Sequence, residues 1–332
     1  MNKKQFIKVV FPIASLFIVL FILARSNKID EIKDALQSTN PFFLALAVAL
    51  VVLSWVSEAH VLYRIGDGEV RFGTALNVVL AGQFFNAITP FATGGQPAQL
   101  YMLHKENVSI PKGTTILARK FIIFQSVLVL YSLVVVIAEA SFFIKEIPSF
   151  AYMGLLGFAV NLFVILMLWL VSYRYRETQT FFVRLSRRLR KVTRRERFRK
   201  FYTKFLKNLR KFHQQMEASI SRSSWLTLGV TTFIQLSLFF AVPVVISLSL
   251  GLTKVEFVHM IAAAAFVSMI TSFIPLPGAA FGAEGSFYVF FRIFFPSNTV
   301  LTALILWRLI TFYLPLAVGW VVVLRSSDKL AE

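Results

Sequence analysis

The chain is 332 residues long, 57% hydrophobic with 36 Phe, and only 15% charged. A water-soluble domain of this size cannot hide that much apolar surface, so lipid must cover much of it and a soluble globular enzyme is excluded. A net charge of +19 with basic residues beside apolar runs points to an anionic membrane face rather than to nucleic acid, and the lack of Cys excludes disulfides, thiolate metal sites and Cys nucleophiles.

In chain order, Lys3, Lys4 and Lys8 precede an apolar run over 9–24. Leu23-Ala24-Arg25 is a poor cleavage site, so the run reads as an uncleaved first span rather than a signal peptide. Apolar stretches fall near 6–24, 41–62, 116–138, 149–172, 225–250 and 300–324. Each is long enough to cross a hydrocarbon core about 30 Å thick at about 1.5 Å per residue. Two further apolar regions, 73–112 and 257–296, are interrupted by Gly, Pro and polar residues and do not read as simple spans. The expected fold is therefore an all-α polytopic membrane protein with about six full spans and two broken segments.

Lys and Arg placement sets the expected orientation. The basic N-terminus is cytoplasmic, the charge-balanced stretch 27–40 is outside, and 64–71 returns inside. Segment 173–222 holds 17 Lys+Arg against three Glu, so it too is inside, and Arg325 and Lys329 place the C-terminus there as well. For 116–138 to run outward, 73–112 must enter and leave on the cytoplasmic side. For 300–324 to end inside, 257–296 must enter and leave on the outside. The two broken regions are then re-entrant from opposite faces, in a span–hairpin–span unit that occurs twice with inverted topology. A shift of 188 residues superposes Gly94 on Gly282, Gln96 on Glu284, Lys120 on Arg308 and Phe124 on Phe312. The plain alternative is a pair of ordinary spans kinked by Pro and Gly.

The first break carries Thr89-Pro90 and Gly94-Gly95-Gln96, with Gln99 one turn on; the second carries Pro275, Pro277-Gly278, Gly282 and Glu284. Gly lets backbones approach closely and Pro removes a donor, so both suit the tip of a re-entrant segment. Half-helices starting there would present free N–H groups to an anionic headgroup, in the manner of a secondary transporter. A charge near mid-bilayer costs about 2.5–3.5 kcal/mol, so each needs a partner or water. Glu284 and Arg308 are an expected pair. Arg119 and Lys120 either join the site or snorkel to the interface.

The series Thr89-Pro-Phe-Ala-Thr-Gly-Gly-Gln-Pro-Ala-Gln99, then Arg119, then Pro277-Gly-Ala-Ala-Phe-Gly-Ala-Glu284, then Arg308, resembles the lysylphosphatidylglycerol synthase transmembrane-region family of flippase-like proteins. The resemblance covers nearly the whole chain. It implies a single transmembrane domain over 1–332 in a bacterial inner membrane that moves a phospholipid between leaflets. Lysyl-phosphatidylglycerol is one candidate cargo, with a link to antimicrobial peptide resistance. The substrate-binding residues it implies are Thr89, Pro90, Gly94, Gly95, Gln96, Gln99, Arg119, Pro277, Gly278, Gly282, Glu284 and Arg308. Many members carry Glu and Arg where this chain has Gln96 and Gln99, which loosens the headgroup preference. The aminoacyl-transfer reaction belongs to a soluble domain that is not expected here, because the chain stops at Glu332. The competing readings are a lysyltransferase-type membrane subunit and a scaffold or sensor beside a separate lipid synthase.

Within 173–222, Phe198, Phe201, Phe205, Leu209, Phe212, Met216 and Ile220 recur every three or four residues among Arg and Lys. That pattern fits a basic amphipathic helix on the anionic leaflet, gathering anionic phospholipid or simply fixing topology. RNA binding fits poorly because the aromatics form one stripe. His60, His104, His213 and His259 are scattered without carboxylates at metal spacing, and there is no P-loop or Gly-x-Ser-x-Gly elbow. No metal, cofactor or catalytic residue is expected, and no nucleic acid partner.

Overall fold

A computed structural model describes residues 39–147, 150–174, 222–272 and 276–328, with a few isolated positions such as Met216 and Ile274. The expected first span over 6–24, Pro275 and nearly all of the basic stripe lie outside the described residues. Every regular element among the described residues is helical.

The helices are α1 (Pro41–Gly66), α2 (Phe72–Ile88), α3 (Gly95–Lys105), α4 (Ile110–Glu146), α5 (Phe150–Tyr173), α6 (Arg222–Phe240), α7 (Val242–Ser249), α8 (Phe257–Thr271), α9 (Gly282–Phe291), α10 (Val300–Arg308) and α11 (Leu314–Asp328). Short 3-10 turns, Pro90–Ala92 and Pro277–Ala279, separate α2 from α3 and α8 from α9. A π-helical segment, Leu309–Tyr313, joins α10 to α11 without ending the helix. Local chemistry sets several boundaries. Asn40 caps α1 by accepting from the Phe42 N–H at 2.9 Å, with Pro41 supplying a pre-set φ. Asp67 and Gly68 then turn the chain through positive φ into α2.

Among the described residues, four stretches are long and apolar enough to cross a membrane: Pro41–Gly66, Ile110–Val135, Ser224–Ser249 and Val300–Ser326. They match four of the expected spans, with two refinements. The stretch expected as one span over 225–250 breaks at Ala241, where Pro243 lies in the first turn of α7. The one expected over 116–138 belongs to a helix of 37 residues. By contrast α2 and α8 have 17 and 15 residues. At about 1.5 Å per residue both stop short of a core about 30 Å thick.

The packing repeats. The unit α1, α2, turn, α3, α4 is matched by α6–α7, α8, turn, α9, α10–α11. Its contacts are matched too: α2 on α3 as α8 on α9, α3 on α4 as α9 on α10, α1 on α4 as α7 on α10, and α2 on α11 as α8 on α4. Equivalent elements also touch each other, α1 against α6 and turn against turn. Helix α5 stands outside the repeat against α4 and α8. A buried bond from Gln125 Nε2 to Asn161 Oδ1 at 2.6 Å ties it to α4, while Phe163, Leu166 and Trp169 face outward.

Phenylalanine fills much of the core. Phe143, Phe266, Phe287, Phe290 and Phe291 are fully buried, with Phe287 stacked on Phe291 and on Trp307 at 4.3 and 4.8 Å. Where α11 crosses α2, Gly319 permits the approach: a Cβ there would stand 2.4 Å from the Leu80 carbonyl oxygen.

Candidate functional site

The two 3-10 turns lie in contact, so the breaks that sequence placed 187 residues apart form one locus. Each turn holds non-Gly residues at positive φ: Phe91 and Ala92 in the first, Ala279 in the second, with Gly278 at +62° and Phe281 at +64° close by. Such backbone persists only where its surroundings hold it. Pro90–Ala92 corresponds to Pro277–Ala279 and Gly95 to Gly282 as helix starts. This is one residue off the register that pairs Lys120 with Arg308. In the register of the turns, Glu284 matches Pro97 rather than Gln96.

In the second half, Arg308 is the centre. It is 7% exposed, and its Nε and Nη2 donate to Glu284 Oε1 at 2.8 and 2.7 Å. Nη2 also donates to the Gly278 carbonyl at 3.1 Å. The guanidinium lies 4.5 Å from the Phe312 ring centroid, and the same ring packs so tightly on Gly278 that a Cβ there would stand 2.2 Å away. One side chain thus binds the tip of the break, the first turn of α9 and its own helix. The π segment begins at the next residue, as π turns often do beside special side chains.

In the first half the inward cation is Lys120. Its Nζ donates to Glu58 Oε1 at 2.7 Å and to Gln99 Oε1 at 3.1 Å. The other Glu58 oxygen accepts from Gln83 Nε2 at 3.2 Å. Helices α1, α2, α3 and α4 each contribute one residue to this network. Gln99 is 4% exposed, whereas Gln96 faces outward. Arg119 turns away and donates to the Met216 carbonyl at 3.3 Å, so of the adjacent pair Lys120 is the one in the network.

The helix start at Gly95 departs from expectation. Gly94 N–H donates to Thr89 Oγ1 at 2.8 Å, and Gly95 N–H to Asn86 Oδ1 at 3.0 Å. Pro97, two residues on, has no N–H. The start of α3 is therefore capped by Asn86 of α2 and by Thr89 just beyond it, and only part of its expected anion-binding capacity is open. Gly95 is needed for this: a Cβ there would stand 2.1 Å from Asn86 Oδ1. Thr89 also donates to the Phe85 carbonyl at 2.7 Å, which fixes its rotamer for the cap.

Glu58, Gln83, Asn86 and Lys120 complete the locus but were not among the expected site residues. Lys120 was signalled by its match to Arg308. Glu58 was signalled by being a carboxylate within a 26-residue apolar helix. Away from the site, His259 faces Glu139 Oε2 at 3.1 Å and packs on Phe142 at 3.9 Å between ring centroids.

Comparison with known proteins places the chain among membrane proteins. Residues 7–319 match the family described as the lysylphosphatidylglycerol synthase TM region. A UPF0104 membrane protein of Archaeoglobus fulgidus is 26% identical over 327 residues, 94% of each chain. One from Methanocaldococcus jannaschii is 25% identical over 329 residues, 93% of this chain and 94% of its own. A third, from Methanothermobacter thermautotrophicus, is 24% identical over 149 residues, 42% of each. With nearly its whole length covered and several long apolar helices, the chain is a multi-pass membrane protein of the lysylphosphatidylglycerol synthase transmembrane-region family.

Proposed function

We propose that this protein moves a phosphate-bearing lipid between the leaflets of a membrane. The observation that carries the reading is the contact between the two 3-10 turns, with a buried, carboxylate-paired cation in each half. Helices α2 and α8 are too short to cross, and each is followed by a strained turn, the second of them bound through Gly278 to Arg308. That supports two hairpins entering from opposite faces and meeting near the midplane, as in transporters built from inverted repeats. The lipid phosphate would meet Arg308 on one side and Lys120 on the other, and the acyl chains would stay in the bilayer. Both termini and the basic segment 173–222 would face the cytoplasm, the latter gathering lipid at the anionic leaflet.

The test uses purified protein in vesicles with acyl-labelled phospholipid in both leaflets. Transport requires that a membrane-impermeant quencher reach label that empty vesicles protect, and that Arg308→Ala abolish the effect. Identical quenching with and without protein would overturn the reading. An aminoacyl-transfer reading, which draws on the family's name, predicts lysylated lipid from charged tRNA in the same preparation.

A further inference from the structure

Transport alone leaves one feature unexplained: each inward cation is already bound to its own carboxylate. Burial alone explains why each cation has a partner, but not what becomes of that carboxylate when a headgroup takes the cation. Lys120–Glu58 and Arg308–Glu284 both close at 2.7 Å, with the cation side chain 9% and the carboxylate side chain 15% exposed in each.

Each pair is neutral overall and largely out of water. If a purely anionic headgroup took the cation, the carboxylate would be left buried and unpaired, which is the costly way to open a buried ion pair. A headgroup with one phosphate and one ammonium satisfies both members. Phosphate takes the place of carboxylate on the cation, ammonium takes the place of the cation on Glu, and the charge of the site does not change. The remaining contacts suit such an exchange. Gln99 Oε1 and the Gly278 carbonyl hold the two cations in position while their carboxylates are released, and Gln83 steadies Glu58 in the same way.

We infer that Glu58–Lys120 and Glu284–Arg308 are two half-sites for a zwitterionic phospholipid headgroup, which binds by exchanging partners with the internal ion pair. Glu58 and Lys120 thereby become binding residues in the half that the sequence marked with amides. The inference rests on the transport reading above, and it replaces an anionic cargo with a zwitterionic one.

The experiment uses the full chain in vesicles of phosphatidylethanolamine and phosphatidylglycerol, with an acyl-labelled tracer of one or the other. Wild-type protein should move the phosphatidylethanolamine tracer about tenfold faster, the factor given by about 1.4 kcal/mol of differential binding. Glu58→Gln and Glu284→Gln each leave a cation uncompensated, so each should shift the ratio toward phosphatidylglycerol. A purely bracing role for the carboxylates would slow both tracers alike. Equal or faster movement of phosphatidylglycerol by the wild type overturns the inference and leaves transport standing. So does an unchanged ratio in both variants. No movement of either tracer by the wild type overturns the transport reading, and this inference with it. Where a Gln variant does not fold, the wild-type ratio decides.

Discussion

The two halves of the locus solve one problem with different parts. In the second half both charges and the backbone of the break belong to one compact piece: Glu284 opens α9, Arg308 closes α10, and Gly278 offers its carbonyl between them. In the first half the carboxylate has left the break. It comes from α1 as Glu58, and Gln83 and Gln99 carry the link from α2 and α3. Repeat architecture therefore conserves the neutral, cation-centred pair rather than the position of its members. A guanidinium, with its fork of donors, holds several acceptors alone, whereas the ammonium of Lys120 relies on amides around it.

Removing Arg308 tests that contrast most severely. Arg308→Ala leaves Glu284 buried without its cation and frees the turn, and should cost about 3–5 kcal/mol along with transport, read as a fall in the thermal midpoint and in flip rate. Arg308→Lys restores charge without the fork, so it should recover stability more fully than activity. Lys120→Ala should cost less, about 3 kcal/mol, because Gln83 already binds Glu58 and can keep it. A double-mutant cycle with Glu58→Gln measures the coupling, and a cycle with no coupling energy would show that the first half is not held by its charge pair.

Glycine substitutions sharpen the comparison on a smaller scale. Gly278→Ala meets the Phe312 ring at 2.2 Å in a backbone with φ +62°, and should cost about 1–3 kcal/mol. Gly82→Ala also meets an atom at 2.2 Å, but that atom is the end of the Gln99 side chain, which can swing aside. Its stability loss should stay below about 1 kcal/mol, while Lys120 loses the amide. Asn86→Ala, which uncaps Gly95, should cost about 1 kcal/mol and should not alter headgroup preference. Thermal midpoints for all three, measured beside the flip rates, separate bracing from binding.

The breaks were legible because Gly and Pro advertise unusual backbone, and Glu284 with Arg308 was legible because two charges in apolar sequence need each other. The first network was not. Glu58 and Lys120 are 62 residues apart, and nothing local says that α1 and α4 bring them together. Lys120 was favoured over Arg119 only by the shift that superposes it on Arg308, not by local pattern. Neighbours on a helix point about 100° apart, and in a span apolar all round neither direction is marked as inward. The one-residue slip between turns and cations also hid the match of Glu284 to Pro97. Amide capping by Asn86 and Thr89 depends on how α2 meets α3, so the sequence suggested open N–H groups where the fold closes two of them.

The contact of like with like, α1 on α6 and turn on turn, is the arrangement seen across an isologous interface. Two half-length subunits related by a two-fold axis would touch in this way, each offering the other the patch it receives. The chain is in that sense a covalent homodimer, with α5 among the residues that join its two protomers. Joined in one chain, the two halves need not be identical, and the Glu58 network in one and the Glu284–Arg308 pair in the other are where they differ.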